Sequence, residues 1–218
     1  LMDRPVDRCL VVDAFDNVWA TVRDAGYRGV ISLGNGGTID STSAFHLTAS
    51  NGLPSSEVKT LLVDRDNDIW VGTDRGIEII LEPSNPTRSG SIALYKPLNG
   101  LVINTLTVDP LNQKWVGTTE GVFLLTSDGT QTLASYTVEN TDGKLMDNNV
   151  KSIAVDAKTG TVYFGTMSGL ASLTTPAAAP AAAFDGLTVY PNPFIVPSTT
   201  SLTVSGLVAN SAIKIMTV

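Results

Sequence analysis

The sequence predicts an all-β fold of four repeated units, and three observations support this prediction. One phrase recurs four times: an apolar run ending in Val-Asp, a turn, an aromatic residue, and in the clearest copies Gly-Thr and a second Gly. The closing aspartates are spaced by 51, 45 and 47 residues; they are Asp13, Asp64, Asp109 and Asp156. The 19 glycines and 11 prolines are spread over turn positions. A period in the forties with several short strands per repeat is typical of β-propeller blades.

The second repeat shows the strands of one blade most clearly. An inner strand is predicted at Val58–Val63, because this short apolar run lies between turn-forming segments. A second strand, Ile69–Thr73, follows a tight turn of Asp and Asn residues, which bond their local backbone. Residues 76–81 are the predicted third strand. Residues 91–96 are more polar and are predicted as the outer edge strand.

The other repeats follow the same plan. The third and fourth copies match the second well, whereas the first departs after Trp19 and has four extra residues before Gly29. Outer strands are predicted between repeats, near residues 44–49, 92–96 and 133–138. The fourth repeat lacks one, because the chain runs on into the Ala/Pro-rich stretch 176–180.

The first residues match the interior of a repeat. Leu1-Met2-Asp3 followed by Val6 corresponds to Leu145-Met146-Asp147 followed by Val150, so the chain opens in mid-repeat. Propellers commonly have about four to eight blades. We therefore expect residues 1–173 to be four blades of a larger propeller, with the strand that completes the last blade supplied from upstream. Four blades alone would form an open arc or an unusually tight ring, or would be completed by a partner.

A second unit is predicted after the blades. Residues 174–186 are rich in Ala, Pro and Thr and are predicted to be a semi-stiff linker. Residues 187–218 contain three strand-like segments, at 187–194, 201–204 and 212–216. Three strands cannot form two packed sheets, so this unit is predicted to be part of an Ig-like β-sandwich.

Composition limits the partners. Net charge is −7 and the isoelectric point is about 4.6, which disfavours nucleic acid and anionic membranes, because both require a basic surface. No apolar run is long enough to span a membrane. The single cysteine, Cys9, cannot form an intrachain disulfide and is predicted to be a small buried hydrophobe. One cysteine does not identify the cellular compartment.

The recurrent aromatic residue is the first candidate for a site, and it has two interpretations. The residues are Trp19, Trp70, Trp115 and Tyr163. They are either packing residues that fill the wedge between blades or a platform for a sugar. Repetition in an identical register favours packing, because every blade interface is alike. A ligand platform would more often occur in one or two blades and on loops.

Two polar candidates are weaker. Asp64, Asp66 and Asp68 resemble the start of a calcium loop, but the calcium pattern requires Gly where Ile69 stands and Glu where Arg75 stands. The one histidine, His46, lies in a predicted outer strand, where a structural role is expected. No catalytic, cofactor-binding or metal-binding residue is therefore predicted, and no cofactor.

The repeat resembles a known family. The pattern from Gly52 to Ile77, Gly-Leu-Pro followed by Val-Asp and Ile-Trp-Val-Gly-Thr, is similar to the two-component-regulator propeller repeat. That resemblance implies a place either in the periplasmic sensor propeller of a hybrid histidine kinase or in a secreted surface protein. The Val-Tyr-Pro-Asn-Pro-Phe stretch at residues 189–194 resembles the start of the C-terminal sorting domain of type IX secretion cargo, which is similar to the flagellar-hook-capping Ig-like domain. Together the resemblances cover residues 1–175 and 187–218.

The order of these parts favours one function over two others. A sensor is expected to continue into a different Ig-like domain and a membrane helix, whereas this chain continues into a truncated sorting-type module. We therefore expect a non-catalytic, secreted or cell-surface propeller that binds a protein or glycan at its loops and meets the secretion machinery through its C-terminal unit. The first alternative is a periplasmic carbohydrate sensor. The second is a polysaccharide-active enzyme, which would need converging acid and base groups.

Overall fold

Short antiparallel strands form the regular structure of the chain. The computed structural model describes residues 9–23, 28–33, 44–179, 186, 188–190, 202–207 and 213. The strands of the first sheet are β1 (Leu10–Val12), β2 (Val18–Val22), β3 (Gly29–Leu33) and β4 (Ala44–Leu47). The second sheet contains β5 (Val58–Val63), β6 (Ile69–Thr73) and β7 (Gly76–Ile80). Each sheet is an up-and-down meander, as predicted for a blade.

The remaining strands repeat this arrangement. The third sheet contains β8 (Ile103–Val108), β9 (Lys114–Thr118), β10 (Val122–Leu125) and β11 (Thr132–Tyr136). The fourth contains β12 (Val150–Asp156), β13 (Thr161–Thr166) and β14 (Leu170–Thr174). A separate pair is formed by β15 (Thr188–Tyr190) and β16 (Thr203–Ser205). The all-β prediction and the four-blade prediction are confirmed.

Three apolar clusters join the four blades in sequence. The inner strands β1, β5, β8 and β12 contact one another in that order. In each cluster, one blade packs against the blade that follows it in the sequence. Trp19 packs with Ile69, Trp70 with Val116, and Trp115 with Phe164. The core therefore lies between blades rather than within one sheet, as expected when each repeat contacts only its neighbours.

A glycine in the middle strand lets neighbouring blades approach closely. A methyl group on Gly72 would lie 2.7 Å from Cγ2 of Ile103, and one on Gly117 would lie 2.9 Å from Cγ1 of Val150. Both contacts are with the inner strand of the following blade. The same methyl groups would lie even closer to the inner strand of their own blade, 2.5 Å from Cγ2 of Thr60 and 2.6 Å from Cγ2 of Thr105. The Gly of the recurrent Gly-Thr phrase is thus required by packing both within a blade and between blades.

The outer strand predicted at residues 91–96 is wrong. Blade 2 has a single isolated bridge there, between Ile80 and Ile92. The N–H of Ala93 bonds the carbonyl of Ile79, but the next pairing joins the N–H of Ile77 to the carbonyl of Pro97. Four residues of the outer segment therefore oppose two residues of β7, and the surplus forms a bulge. In contrast, β4 and β11 confirm the outer strands predicted in blades 1 and 3.

The tail is only partly described. β15 and β16 confirm strands within the predicted segments 187–194 and 201–204, while segment 212–216 lies outside the described residues except for one position. The Ig-like sandwich and the three domain boundaries stay predictions. Within the predicted linker, Thr174 ends β14 and Ala177 is 3% exposed, so the first linker residues pack against the blades. Residues 1–8, which carry the mid-repeat match, are also outside the described residues.

Candidate functional site

The recurrent aspartates and tryptophans form one repeated unit. Oδ1 of Asp64 accepts the N–H groups of Asp66 and Asp68, each at 2.9 Å, and Oδ2 accepts the indole N–H of Trp70 at 3.0 Å. The equivalent indole bonds measure 2.9 Å from Trp19 to Asp13 and 3.3 Å from Trp115 to Asp109. One carboxylate thus closes the turn and also fixes the indole that follows it. All three tryptophans are fully buried, so the packing interpretation is confirmed for them.

Hydrogen bonding controls the ionisation of this carboxylate in blade 1. Burial acts to raise the pKa of Asp13, but hydrogen bonds from Trp19 and Asn17 and from two turn N–H groups lower it further, and the pKa lies below its ordinary value. Asp13 is therefore charged at neutral pH, and its charge serves the turn and the indole.

Tyr163 departs from the pattern. It occupies the tryptophan position in blade 4 but is 40% exposed. Each buried tryptophan packs against the blade that follows its own, whereas Tyr163 lies on the face of blade 4 that points away from blade 3. Asp156 correspondingly accepts from the N–H of Lys158 and the hydroxyl of Thr159 instead of from an aromatic ring. Its packing partner would belong to a blade after blade 4, so the packing interpretation stays a prediction for this residue.

The acidic turn of blade 2 takes part in a contact with blade 3. Lys114 and the Asp64 side chain are both fully buried, and their Nζ and Oδ2 atoms are 2.6 Å apart. The same Nζ donates to the carbonyls of Asn112 and Ser127 and lies 4.6 Å from the centre of the Trp70 ring. A lysine amine therefore already neutralises the first aspartate of the candidate calcium loop.

The other two carboxylates of that turn have separate environments. Asp66 Oδ2 accepts from the amide of Asn112 at 2.7 Å. Burial raises the pKa of Asp68 to about 6, with the charges of Asp64 and Asp66 acting in the same direction and that of Lys114 opposing them. Over the described ranges, no three His, Cys, Asp or Glu side chains are grouped as a metal site.

Sequence reasoning missed Lys114 as a buried partner. Its position is apolar in the other repeats, where Val18, Ile69 and Val162 stand. A charged residue in a register that is otherwise apolar is the signal that could have revealed it. The aspartate that pairs with it lies 50 residues earlier, in the preceding repeat, so local spacing did not indicate the pair.

His46 and Cys9 have structural surroundings. His46 lies in β4 opposite Ile31 and is half-buried, as predicted for an outer strand. Its carbonyl accepts the side-chain amide of Asn51 at 2.8 Å. Cys9 is partly buried against the cluster between blades 1 and 2, and its thiol donates to the carbonyl of Lys59 at 3.4 Å.

A rim bulge, defined as residues 93–97 of blade 2, is the first surface suited to binding. Leu94 is fully exposed and Tyr95 is half-exposed. Beneath them, Glu78 is fully buried and bonds Nζ of Lys96 at 2.5 Å, and the same amine donates to the carbonyl of Gly52. Burial raises the pKa of Glu78, although Lys96 acts to lower it.

The ion pair is specific to this blade. Ile31, Phe123 and Ala171 stand at the position of Glu78 in the other blades. A buried pair contributes less to stability than apolar packing of the same volume, and its best-attested use is to hold one conformation. The Glu78–Lys96 pair thus ties the bulge to β7, and Leu94 and Tyr95 are exposed above it.

The second surface is a cleft between blades 3 and 4. It has a volume of about 270 Å³ and is lined by the rings of Tyr136 and Phe164 and by the exposed charges of Asp142 and Lys144. The amide of Asn140 also borders it, but that side chain caps the local loop through Thr137 and Ser135. The cleft could bind a ligand through ring faces and a pair of opposite charges.

Comparison with known proteins supports the architecture. The model of the family described as two component regulator propeller matches residues 52–75, which contain β5 and β6. No curated protein sequence matches the chain. Among solved structures, the chain is similar to PorZ, an essential bacterial surface component of the type-IX secretion system of Porphyromonas gingivalis. The identity is 26% and the TM-score 0.65, over 92% of this chain and 30% of PorZ. The fold is that of a β-propeller.

Two sensor domains are also similar. The extracellular domain of the hybrid two-component system BT3049 from B. thetaiotaomicron is 23% identical, with a TM-score of 0.59 over 81% of this chain and 22% of that one. The extracellular domain of the one-component system BT4673 from the same organism is 16% identical, with a TM-score of 0.58 over 77% and 23%. The chain thus spans less than a third of the length of each of these proteins. The described residues contain no helix with the length and hydropathy needed to cross a membrane.

Proposed function

We propose that this chain is part of a non-catalytic binding or scaffold propeller at the bacterial cell surface, exported by type IX secretion. The observation that carries this proposal is the extent of the similarity to PorZ. Residues 1–174 make up about four fifths of the chain, so a match over 92% includes part of the tail. The matches to the sensor domains cover 77% to 81%, which the blades and at most a few further residues can account for.

The tail therefore supports the surface role over the sensor role. Its strands β15 and β16 coincide with the segments that resemble a sorting-type module. We infer that the C-terminal unit meets the secretion machinery, while the blades bind a protein or glycan. A carbohydrate-sensing propeller of a two-component regulator is the second candidate, supported by the repeat model at residues 52–75.

The side-chain chemistry favours binding over catalysis. The carboxylates of Asp13 and Asp64 and the amine of Lys114 are occupied by structural contacts between and within blades. Glu78, a buried carboxyl group with a raised pKa, is bonded to Lys96 beneath the rim bulge. The rim bulge offers an aliphatic and an aromatic side chain in a fixed conformation, which is the composition of a protein-binding surface.

Localisation tests the proposal directly. An internal epitope is introduced into the full-length protein, and intact cells of the host and of a strain lacking type IX secretion are treated with proteinase K. We expect the epitope to be digested in the first strain and protected in the periplasm of the second. Cytoplasmic retention in both strains would overturn the proposal. Periplasmic or inner-membrane retention in both strains would favour the sensor.

Binding and turnover separate the remaining candidates. The purified full-length protein is assayed against a polysaccharide panel, both by calorimetry and by release of reducing ends. Binding without turnover agrees with the proposal, whereas turnover abolished by His46→Ala would establish an enzyme. For the rim bulge, the double variant Leu94→Ser with Tyr95→Ser is expected to increase the fraction of protein released from the cell surface. Leu133→Ser, which changes another exposed leucine, is the matched control.

A further inference from the structure

Hydrogen bonds join the turns of successive blades. The backbone N–H of Ala14 donates to Oδ1 of Asn67 at 2.6 Å, and that of Arg65 donates to Oδ1 of Asn112 at 3.0 Å. Both asparagines occupy the fourth position of the turn between the first two strands, with φ values of 68° and 61°. Asparagine serves twice here, because it tolerates the left-handed backbone and its side chain accepts from the preceding blade.

Between blades 3 and 4 both partners of this bond are replaced. The donor position holds Pro110, which has no N–H. The turn of blade 4 is one residue longer than the others, and its residue with positive φ is Gly160, which is fifth from Asp156 and has no side chain. Gly160 keeps the left-handed backbone, with φ of 72°. Its N–H bonds the carbonyl of Asp156 four residues earlier, whereas Asn67 and Asn112 each bond a carbonyl three residues earlier. Because Pro110 has no N–H, the blade-to-blade hydrogen bond cannot form at this step.

The segment that follows β14 bonds to this turn instead. The N–H and the hydroxyl of Thr175 both donate to the carbonyl of Gly160, each at 3.0 Å. The N–H of Ala179 donates to the carbonyl of Ala157, the second residue of the turn, at 2.5 Å. Two backbone bonds thus hold residues 175–179 across the turn of blade 4.

Packing between these two bonds is tight. Ala177 is 3% exposed, and with Pro176 it lines a cleft of about 340 Å³ that Trp115 and Leu111 of blade 3 also border. A methyl group on Gly160 would lie 2.5 Å from the carbonyl oxygen of Thr175, a distance that Cβ atoms do not reach. The absence of a side chain at position 160 is therefore what lets the segment dock.

We infer that residues 175–179 are a latch that fixes the place and direction in which the chain leaves the propeller, and that position 160 controls it. The latch supplies contacts with blade 3 at the step where Pro110 rules out the blade-to-blade bond. The C-terminal unit is then delivered from a defined point at the boundary of blades 3 and 4 and not from a free tether. This inference does not depend on what the blades bind or on how the protein is exported.

Gly160→Asn in the full-length protein tests the latch. Asparagine tolerates the positive φ of position 160, as it does at Asn67 and Asn112, while its Cβ displaces Thr175. Gly143→Asn is the matched control, because Gly143 has a similar φ of 76° and open space around it. Hydrogen exchange is measured at the Thr175 and Ala179 amides, together with elastase cleavage after Ala177 to Ala179.

We expect Gly160→Asn to raise both rates at least about tenfold and Gly143→Asn to leave them unchanged. Unprotected Thr175 and Ala179 amides in the wild type, or an unchanged cleavage rate in Gly160→Asn, would overturn the latch. If circular dichroism shows that Gly160→Asn unfolds the blade, Ala177→Asp replaces it, with exposed Ala178→Asp as its control. Equal cleavage of these two variants would also contradict the latch.

Discussion

At the interface of blades 2 and 3, one carboxylate accepts a hydrogen bond from an indole and forms an ion pair with a buried amine. At the interface of blades 3 and 4, the equivalent carboxylate accepts a hydrogen bond from an indole. Asp64 contacts Trp70 and Lys114 in the first case, and Asp109 contacts Trp115 in the second. The position of Lys114 is taken by Val162 in blade 4.

The constant part of the repeat is the aspartate–tryptophan bond, and the surrounding contacts are interchangeable. Between blades 2 and 3, which share the buried ion pair, Asn112 also joins the two turns. Between blades 3 and 4, the rings of Tyr136 and Phe164 pack on Trp115 instead, with ring centroids 6.0 and 5.7 Å from that of Trp115. The same geometry is therefore stabilised by two different chemistries, and the following substitutions separate them.

Lys114→Ala is expected to have the largest effect. Removing the amine leaves the buried carboxylate of Asp64 without its counter-ion, which typically costs about 3–5 kcal/mol. The free energy of unfolding is measured by urea denaturation. Lys144→Ala, which changes an exposed lysine, is expected to stay within about 0.5 kcal/mol of the wild type. Equal effects of the two substitutions would show that the buried pair does not stabilise the interface.

Trp115→Phe is expected to cost about 1–3 kcal/mol, because it leaves Asp109 Oδ2 without its indole donor in a buried site. The matched variant is Tyr163→Phe, at the same register of blade 4. Tyr163 is exposed, so the expected loss there is below about 0.5 kcal/mol. A loss at Tyr163 as large as that at Trp115 would contradict the difference between the two positions.

Asn112→Gly is expected to cost about 1 kcal/mol, since glycine keeps the positive φ but removes the bonds to Arg65 and Asp66. Hydrogen exchange at the Arg65 amide should accelerate in parallel. In Asp142→Gly, which changes another exposed residue with positive φ, the Arg65 amide should exchange at the wild-type rate. An unchanged Arg65 amide in Asn112→Gly would show that the bond between turns is not formed.

Asp68→Asn is expected to have the smallest effect, and one that depends on pH. Because the folded-state pKa is raised to about 6, the contribution of Asp68 is fully present below the unfolded value near 3.8 and is lost as pH rises through 6. At pH 7 the neutral variant should therefore be more stable than the wild type, by roughly 1 kcal/mol after solvent screening. If Asp68→Asn is less stable than the wild type at pH 7 but not at pH 4, the charged form of Asp68 stabilises the fold and the prediction is wrong.

The repeated features could be predicted from the sequence because they recur in register. The burial of Trp19, Trp70 and Trp115 followed from their identical positions, and so did most strand boundaries. The packing of Tyr163 stays a prediction, because its environment depends on a following blade and not on its own repeat. The outer segment of blade 2 was predicted incorrectly, because two surplus residues between Ala93 and Pro97 prevent regular pairing.

Features that occur in one blade or at one interface could not be predicted in this way. The Lys114–Asp64 pair and the Glu78–Lys96 pair each join residues that local spacing does not relate. The docking of Ala177 depends on the missing side chain at Gly160. From the sequence, a turn glycine that leaves space for a neighbouring segment cannot be distinguished from one that only provides a positive φ. No sequence motif indicated the rim bulge or the cleft between blades 3 and 4 as a binding surface.

The close approach at Gly72 has a geometric consequence. Gly72 and Trp70 lie on the same face of β6, two residues apart, and both meet blade 3. The space between the two sheets is thus thin at one end of the strand and thick at the other, and Gly117 and Trp115 repeat this at the next step. The pairing of a bulky and an absent side chain on one face of the middle strand therefore gives each interface a wedge-shaped cross-section, repeated from one step to the next.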